Sequence, residues 1–146
     1  MKFRKFYYSF YFVPILLIFF LFGCSKNENK SEIPVVMVNF SINPNSTEYI
    51  QLNSIPGWVY VTGGYHGIII YRISVNDFMA FERACPYDWE SSNARVEVDN
   101  SGIMAICPEC KSKFILLDGS PSEGVSPYPL KQYSTTYDGN LLYVYN

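Results

Sequence analysis

The apolar and polar positions divide the chain into three stretches. A basic head at Lys2, Arg4 and Lys5 leads into an unbroken apolar run over residues 13–22 (VPILLIFFLF). Residues 25–32 (SKNENKSE) then carry no apolar position. From residue 33 onward, short apolar or alternating runs recur, parted by Gly, Pro, Asn and Asp.

In that third stretch the period is the two-residue period of strands, and helix signals are nearly absent. Strands are predicted over residues 34–42, ended by Asn43-Pro44-Asn45; 57–61, stopped by Gly63-Gly64; 67–73 (GIIIYRI); and 78–81. The unbroken apolarity of 67–73 predicts a strand buried in the middle of a sheet. Residues 94–98 and 103–106 flank Asn100-Ser101-Gly102 as a hairpin, and 114–117 adds another strand. Residues 132–137 and 141–145 flank Asp138-Gly139-Asn140, an Asp-Gly turn of the kind that closes a two-strand hairpin. Many short strands with Gly and Pro turns predict an all-β fold, a small antiparallel sandwich or barrel.

The first two stretches read as a leader and a tether. A charged head, a short apolar run and a small residue before a cut describe a secretory signal. Here Leu21-Phe22-Gly23-Cys24 forms a lipobox: the Cys24 thiol takes a diacylglyceryl group, and the slim Gly23 lets the peptidase reach the bond. Phe22 is bulkier than is usual at its place. The competing reading is a membrane-spanning anchor, which needs about 20 mostly apolar residues. Extending back through residues 6–12 reaches that length only by including Tyr7, Tyr8, Ser9 and Tyr11, and Pro14 interrupts it. The division is therefore a signal peptide at 1–23, a lipidated Cys24 with a polar tether to residue 32, and one domain over 33–146. The expected location is the cell envelope, lipid-anchored and facing away from the cytoplasm.

Charge narrows the partners. The whole chain holds 11 basic and 13 acidic side chains. Three basic residues leave with the leader, so the exported part carries eight against thirteen, a formal −5. That excludes nucleic acid as a partner and argues against purely electrostatic binding to an anionic membrane. The expected partners are the membrane, through the lipid, and an envelope redox or assembly protein.

Of the four cysteines, Cys24 is consumed by lipid and three remain: Cys85, Cys107 and Cys110. An odd number in an oxidising compartment means one disulfide and a free thiol, a metal site, or pairing with a partner. Two loops hold them, Cys85-Pro86-Tyr87-Asp88 and Cys107-Pro108-Glu109-Cys110. A Cys-Pro-x-Cys turn at a hairpin tip aims its sulfurs and following amides at one point, as zinc and iron–sulfur sites require.

Around these loops the chain resembles the Rieske [2Fe–2S] domain family. That family shows Cys-Pro-x-His, Gly-Ser-x-Phe, an Asp-x-Gly turn, a Gly-Pro-Ala-x-x-Pro-Leu loop and a closing Asp-Gly hairpin. The corresponding segments here are Cys107-Pro108-Glu109-Cys110, Lys111-Ser112-Lys113-Phe114, Asp118-Gly119, Gly124-Val125-Ser126-Pro127-Tyr128-Pro129-Leu130 and Asp138-Gly139-Asn140. Upstream, Gly63-Gly64, residues 67–72 and residues 78–86 resemble the approach to the family's first ligand loop. The resemblance covers roughly residues 33–146 and implies a Rieske-like sandwich or barrel with two cysteine loops.

The ligands depart from the pattern. The family binds one iron with two cysteines and the other with two histidines. Cys85 and Cys107 fill the cysteine places, Tyr87 stands in the first histidine's place and Cys110 in the second's. The one histidine, His66, precedes both loops, so a two-histidine cluster is excluded. Ser112 matches the serine that donates to a cluster sulfide, and Lys111 replaces the neighbouring glycine.

Three fates follow. An altered [2Fe–2S] cluster would take Cys85, Cys107, Cys110 and a fourth ligand from Tyr87 or Asp88. Four anionic ligands would pull its potential toward the roughly −400 mV of plant-type ferredoxins, and a Tyr ligand must lose a proton with a reference pKa near 10. Zinc would take Cys85, Asp88, Cys107 and Cys110, whose two pairs are separated by 18 residues, within ribbon spacing. With no metal, Cys85 would join Cys107 or Cys110 in a disulfide, and the domain would be a structural or binding module. Lost histidines are more simply lost function than a rebuilt site. The metal-free module therefore stands first, the cluster second and zinc third. In the redox reading the domain is a one-electron carrier and not an enzyme with its own substrate.

Other residues read as structural. His66 is expected in a turn, Trp58 and Trp89 in packing, and Glu82, Glu90 and Glu109 on solvated faces. Asn45-Ser46-Thr47 matches a glycosylation acceptor without meaning behind a lipobox.

Overall fold

The computed structural model describes residues 32–146. The leader, the lipobox at Cys24 and the tether up to residue 31 lie outside the described residues. Among those described, no helix is long and apolar enough to cross a membrane.

Ten strands form two antiparallel sheets, the all-β sandwich that the turn spacing predicts. In chain order they are β1 (Asn39–Ile42), β2 (Gly57–Val61), β3 (Ile68–Arg72), β4 (Phe78–Glu82), β5 (Glu97–Val98), β6 (Met104–Ile106), β7 (Lys113–Ile115), β8 (Pro121–Glu123), β9 (Gln132–Tyr137) and β10 (Leu142–Tyr145). The larger sheet runs β1-β10-β9-β4-β3-β2 and the smaller β5-β6-β7-β8.

The predicted central strand is β3, and its sequence shows why. All five residues are buried because both faces are covered. Ile68 and Ile70 point into one core with Val59, Phe78, Ala80, Leu142 and Val144. Ile69 and Tyr71 point into a second, with Phe81, Phe114, Leu116 and the two buried cysteines, Cys85 and Cys107. The two cysteine loops are thus built on the second core, between the two sheets.

The segment after β4 joins the sheets. Val96 N–H donates to Arg83 O at 2.7 Å, Cys85 N–H donates to Ala94 O at 2.8 Å, and Ala84 bridges Arg95. These bonds hold the first cysteine at the edge of the smaller sheet.

Several elements differ from the sequence expectation; of the predicted 94–98 strand, for example, only Glu97–Val98 pairs as β5. Only residues 39–42 of the predicted 34–42 strand pair as a ladder, because β10 ends at Tyr145. Beyond it Asn146 supplies substitutes: its Nδ2 donates to Val36 O at 2.8 Å and its Oδ1 accepts from Val38 N–H at 3.1 Å. A short 3-10 helix, Thr47–Asn53, fills the connection to β2, burying Leu52. Strand β8 has no apolar alternation to announce it; its pairing to β7 carries it.

Candidate metal centre

The site is made of two tight loops. The first leaves β4 and turns through Asp88 O, which accepts from Ser91 N–H at 2.9 Å. The second joins β6 to β7: Cys107 N–H donates to Ser112 O at 2.9 Å and Lys111 N–H to Cys107 O at 3.1 Å. Closing so short a loop puts Lys111 at φ 61°, a left-handed conformation that favours glycine. The loops meet at Ser91, whose hydroxyl donates to Glu109 Oε1 at 2.9 Å.

At this meeting point four donors converge. One ligand atom each from Cys85, Asp88, Cys107 and Cys110 all lie within 4.8 Å of one another. Cys85 Sγ and Cys110 Sγ are 3.5 Å apart, and the three thiols are unbridged. Cys85 and Cys107 are fully buried; Asp88 and Cys110 are partly so.

Burial pushes the Cys85 and Cys107 thiols up from the ordinary cysteine value. Backbone N–H groups oppose it: those of Asp88 and Tyr87 face Cys85, and those of Cys110 and Glu109 face Cys107. Amides aimed at a sulfur stabilise a thiolate, the form that binds a metal.

Tyr87 enters through this backbone N–H. Its side chain is 51% exposed, although the altered-cluster reading gives it a ligand's place. Ser112 is buried, and its hydroxyl oxygen accepts from Cys110 Sγ at 3.2 Å, Val125 N–H at 3.1 Å and Ser126 N–H at 3.0 Å. It thus ties the loop beginning at Gly124 over the site. At Gly124, φ is 99° and a Cβ would strike Ser112, so only glycine lets the two segments meet.

His66 is not among the converging donors. It sits in the turn before β3, as expected, its ring stacked on Tyr65 at 4.5 Å. Burial lowers its pKa, with the Glu82 charge opposing. Trp58 packs against the second core, and Tyr65 meets Trp89 edge-on at 5.9 Å.

Glu90 and Glu109 are exposed as expected, but Glu82 is not on a solvated face. It is fully buried and accepts from Tyr65 N–H at 2.6 Å, His66 N–H at 2.8 Å, Ala84 N–H at 3.0 Å and the Tyr133 hydroxyl at 2.7 Å. The parity of β4 carried this signal: Phe78 and Ala80 face the first core, and Glu82 continues their side. Four donors replace the water it loses.

No family model matches this chain, and no curated protein matches it either. Among solved structures it is similar to a protein described as the small subunit of an NADH-dependent nitrite reductase from Mycobacterium tuberculosis. Identity is 19%, covering 77% of this chain and 97% of that one, with a TM-score of 0.46. It is also similar to the NirD protein of E. coli, solved by NMR, at 17% identity over 76% of this chain and 98% of that one, TM-score 0.47.

The family's cluster can be tested against these residues. A Rieske cluster divides its ligands, two cysteines on one iron and two histidines on the other. Here the donors are three thiols and a carboxylate gathered around one point, and the histidine lies outside that group. They do not fit a two-histidine cluster.

Proposed function

We propose that this is a Rieske-like envelope domain, anchored through acylated Cys24, whose two cysteine loops are closed by a single zinc ion. Cys85, Asp88, Cys107 and Cys110 are its ligands. The observation that carries this reading is the mutual approach of the four donor atoms within 4.8 Å. Zinc–sulfur bonds of about 2.3 Å in a tetrahedron put sulfurs about 3.8 Å apart. The 3.5 Å between Cys85 and Cys110 is close to that spacing. A two-iron cluster splits its four ligands between two metals and spreads them further. Zinc supplies no redox chemistry; it would cross-link the two cysteine loops. On this reading the domain is a structural or binding module of the envelope, not an electron carrier.

A second reading rests on the same 3.5 Å contact. Without metal, Cys85 and Cys110 are the pair poised for a disulfide, and Cys107 remains a buried thiol.

Metal and acid-labile sulfide analysis of the mature chain, with its intact mass, separates these. One zinc per chain and no sulfide supports the proposal. Iron with equimolar sulfide overturns it in favour of a cluster. Absence of metal together with a mass two protons below the reduced chain supports the disulfide module.

A further inference from the structure

We infer that the outer face of β1 and β10 rests on the lipid surface, orienting the domain on its anchor. The inference depends on Cys24 being acylated, as proposed above. Val35 and Met37 are 84% and 88% exposed, the most exposed of the large apolar side chains described. They continue the outward parity of Asn39 and Ser41 on β1, whose inward partners Phe40 and Ile42 belong to the first core. Across the ladder, Asn39 pairs with Tyr145 and Ser41 with Tyr143, both exposed, and Tyr143 in turn pairs with Thr136. Val35, Met37, Asn39, Thr136, Tyr143 and Tyr145 line one shallow hollow in which no side chain is charged.

Two exposed apolar side chains flanked by tyrosines suit the boundary between headgroups and acyl chains, where aromatic rings with a polar tip concentrate; the carboxylate at the rim, Asp138, is bonded to the Tyr143 hydroxyl at 3.2 Å. Its place in the chain selects that occupant. Val35 lies eleven residues from Cys24. Eleven residues, even fully extended, span only about 36 Å. The tether thus holds the patch beside the bilayer throughout. Asn146 keeps residues 36–38 pinned to the end of β10, so Met37 is presented from a fixed backbone.

The test is depth-dependent fluorescence quenching of the full acylated chain in phosphatidylethanolamine–phosphatidylglycerol vesicles containing a shallow nitroxide lipid. Two variants are compared with the parent, Met37→Trp in the patch and Ile103→Trp beside β2, the opposite edge of the large sheet. Both positions are exposed, so neither change disturbs packing. The expected result is that the emission added by Met37→Trp is blue-shifted and strongly quenched, while Ile103→Trp adds unquenched emission. Equal quenching at both positions, or none at either, in protein whose mass shows the lipid overturns docking and leaves the anchor standing. A mass without diacylglycerol at Cys24 overturns the anchor and this inference with it. A blue shift of the Met37→Trp emission that rises with protein concentration when Cys24→Ser is added, without vesicles, assigns the face to a second copy of the chain and overturns the membrane as its occupant.

Discussion

Tyr133 on β9 donates its hydroxyl to the Glu82 carboxylate of β4 at 2.7 Å, and both residues are buried. Through Glu82 the same contact reaches the turn at Tyr65 and His66 and the backbone of Ala84, one residue before the first cysteine. A Cβ at Gly64 would run into both the carboxylate and the hydroxyl, so that turn accepts only glycine. A buried carboxylate with four donors is therefore the support on which the first cysteine loop stands.

Glu82→Gln keeps the size but sets an NH2 group against donors. It is expected to cost about 2–4 kcal/mol, since hydrogen bonds to a charged group are each worth about 1.5–3 kcal/mol and an orphaned donor costs more. Urea unfolding followed by circular dichroism measures this; a midpoint unchanged from the parent would contradict the role given to Glu82.

Tyr133 also sets an alkaline dependence. Burial first, and then the Glu82 carboxylate, hold its phenol well above the usual tyrosine value. In the unfolded chain it ionises near pH 10, so above that pH the unfolded state binds fewer protons and stability falls as pH rises. Below the unfolded value this contribution is fully present. Tyr133→Phe, which removes a hydrogen bond to a buried carboxylate, is expected to be less stable at pH 7 by about 1.5–3 kcal/mol. Its decline above pH 10 should be shallower by up to about 1.4 kcal/mol per pH unit. Unfolding curves at pH 9, 10 and 11 compare the two slopes.

If the proposed zinc is bound, Asp88→Asn removes a carboxylate ligand and should weaken zinc by more than roughly a hundredfold, beyond the 10–100-fold of changes in the outer shell. Asp88→Cys completes four thiolates and is expected to tighten zinc, which favours soft sulfur donors. Competition with a chromophoric chelator ranks the variants. An affinity indifferent to residue 88 points to a site without the carboxylate.

Lys111 provides a test of loop strain. At φ 61° a lysine costs about 1–2 kcal/mol that glycine does not. The greater freedom of glycine in the unfolded chain offsets about 0.5–1 kcal/mol of that. Lys111→Gly should therefore stabilise by up to about 1 kcal/mol, and Lys111→Val should destabilise. Thermal unfolding of the three chains side by side reads the order.

Ser112→Ala removes the acceptor shared by the Val125 and Ser126 amides. The expected loss is about 1–3 kcal/mol for donors left unpaired in a buried place. Faster hydrogen exchange at those two amides, ahead of the strands, is the local signature.

Much of the fold was written in local chemistry. The Asp138-Gly139 turn carries β9 and β10 where alternation places them, and the buried β3 follows from five residues covered on both faces. Gly102 at φ 74° closes the hairpin expected at Asn100-Ser101-Gly102. What local pattern lacked were features whose partner is remote. Strand β8 exists because β7 lies beside it. Residues 36–38 lose their ladder because Asn146, more than a hundred positions away, holds them with a side-chain amide instead.

The all-β antiparallel class, the two cysteine loops and the absence of a histidine pair were legible from residue type, period and spacing alone, because these depend on nothing more. Tertiary structure alone decided that Asp88 joins the three thiols while the Tyr87 side chain lies half exposed, that Ser112 holds the Gly124 loop, and that Glu82 is buried rather than solvated. Each of those depends on where two distant segments meet. A carboxylate is written identically in sequence whether water or four hydrogen-bond donors surround it, and only the packing of β4 against β9 and the Tyr65 turn distinguishes the two.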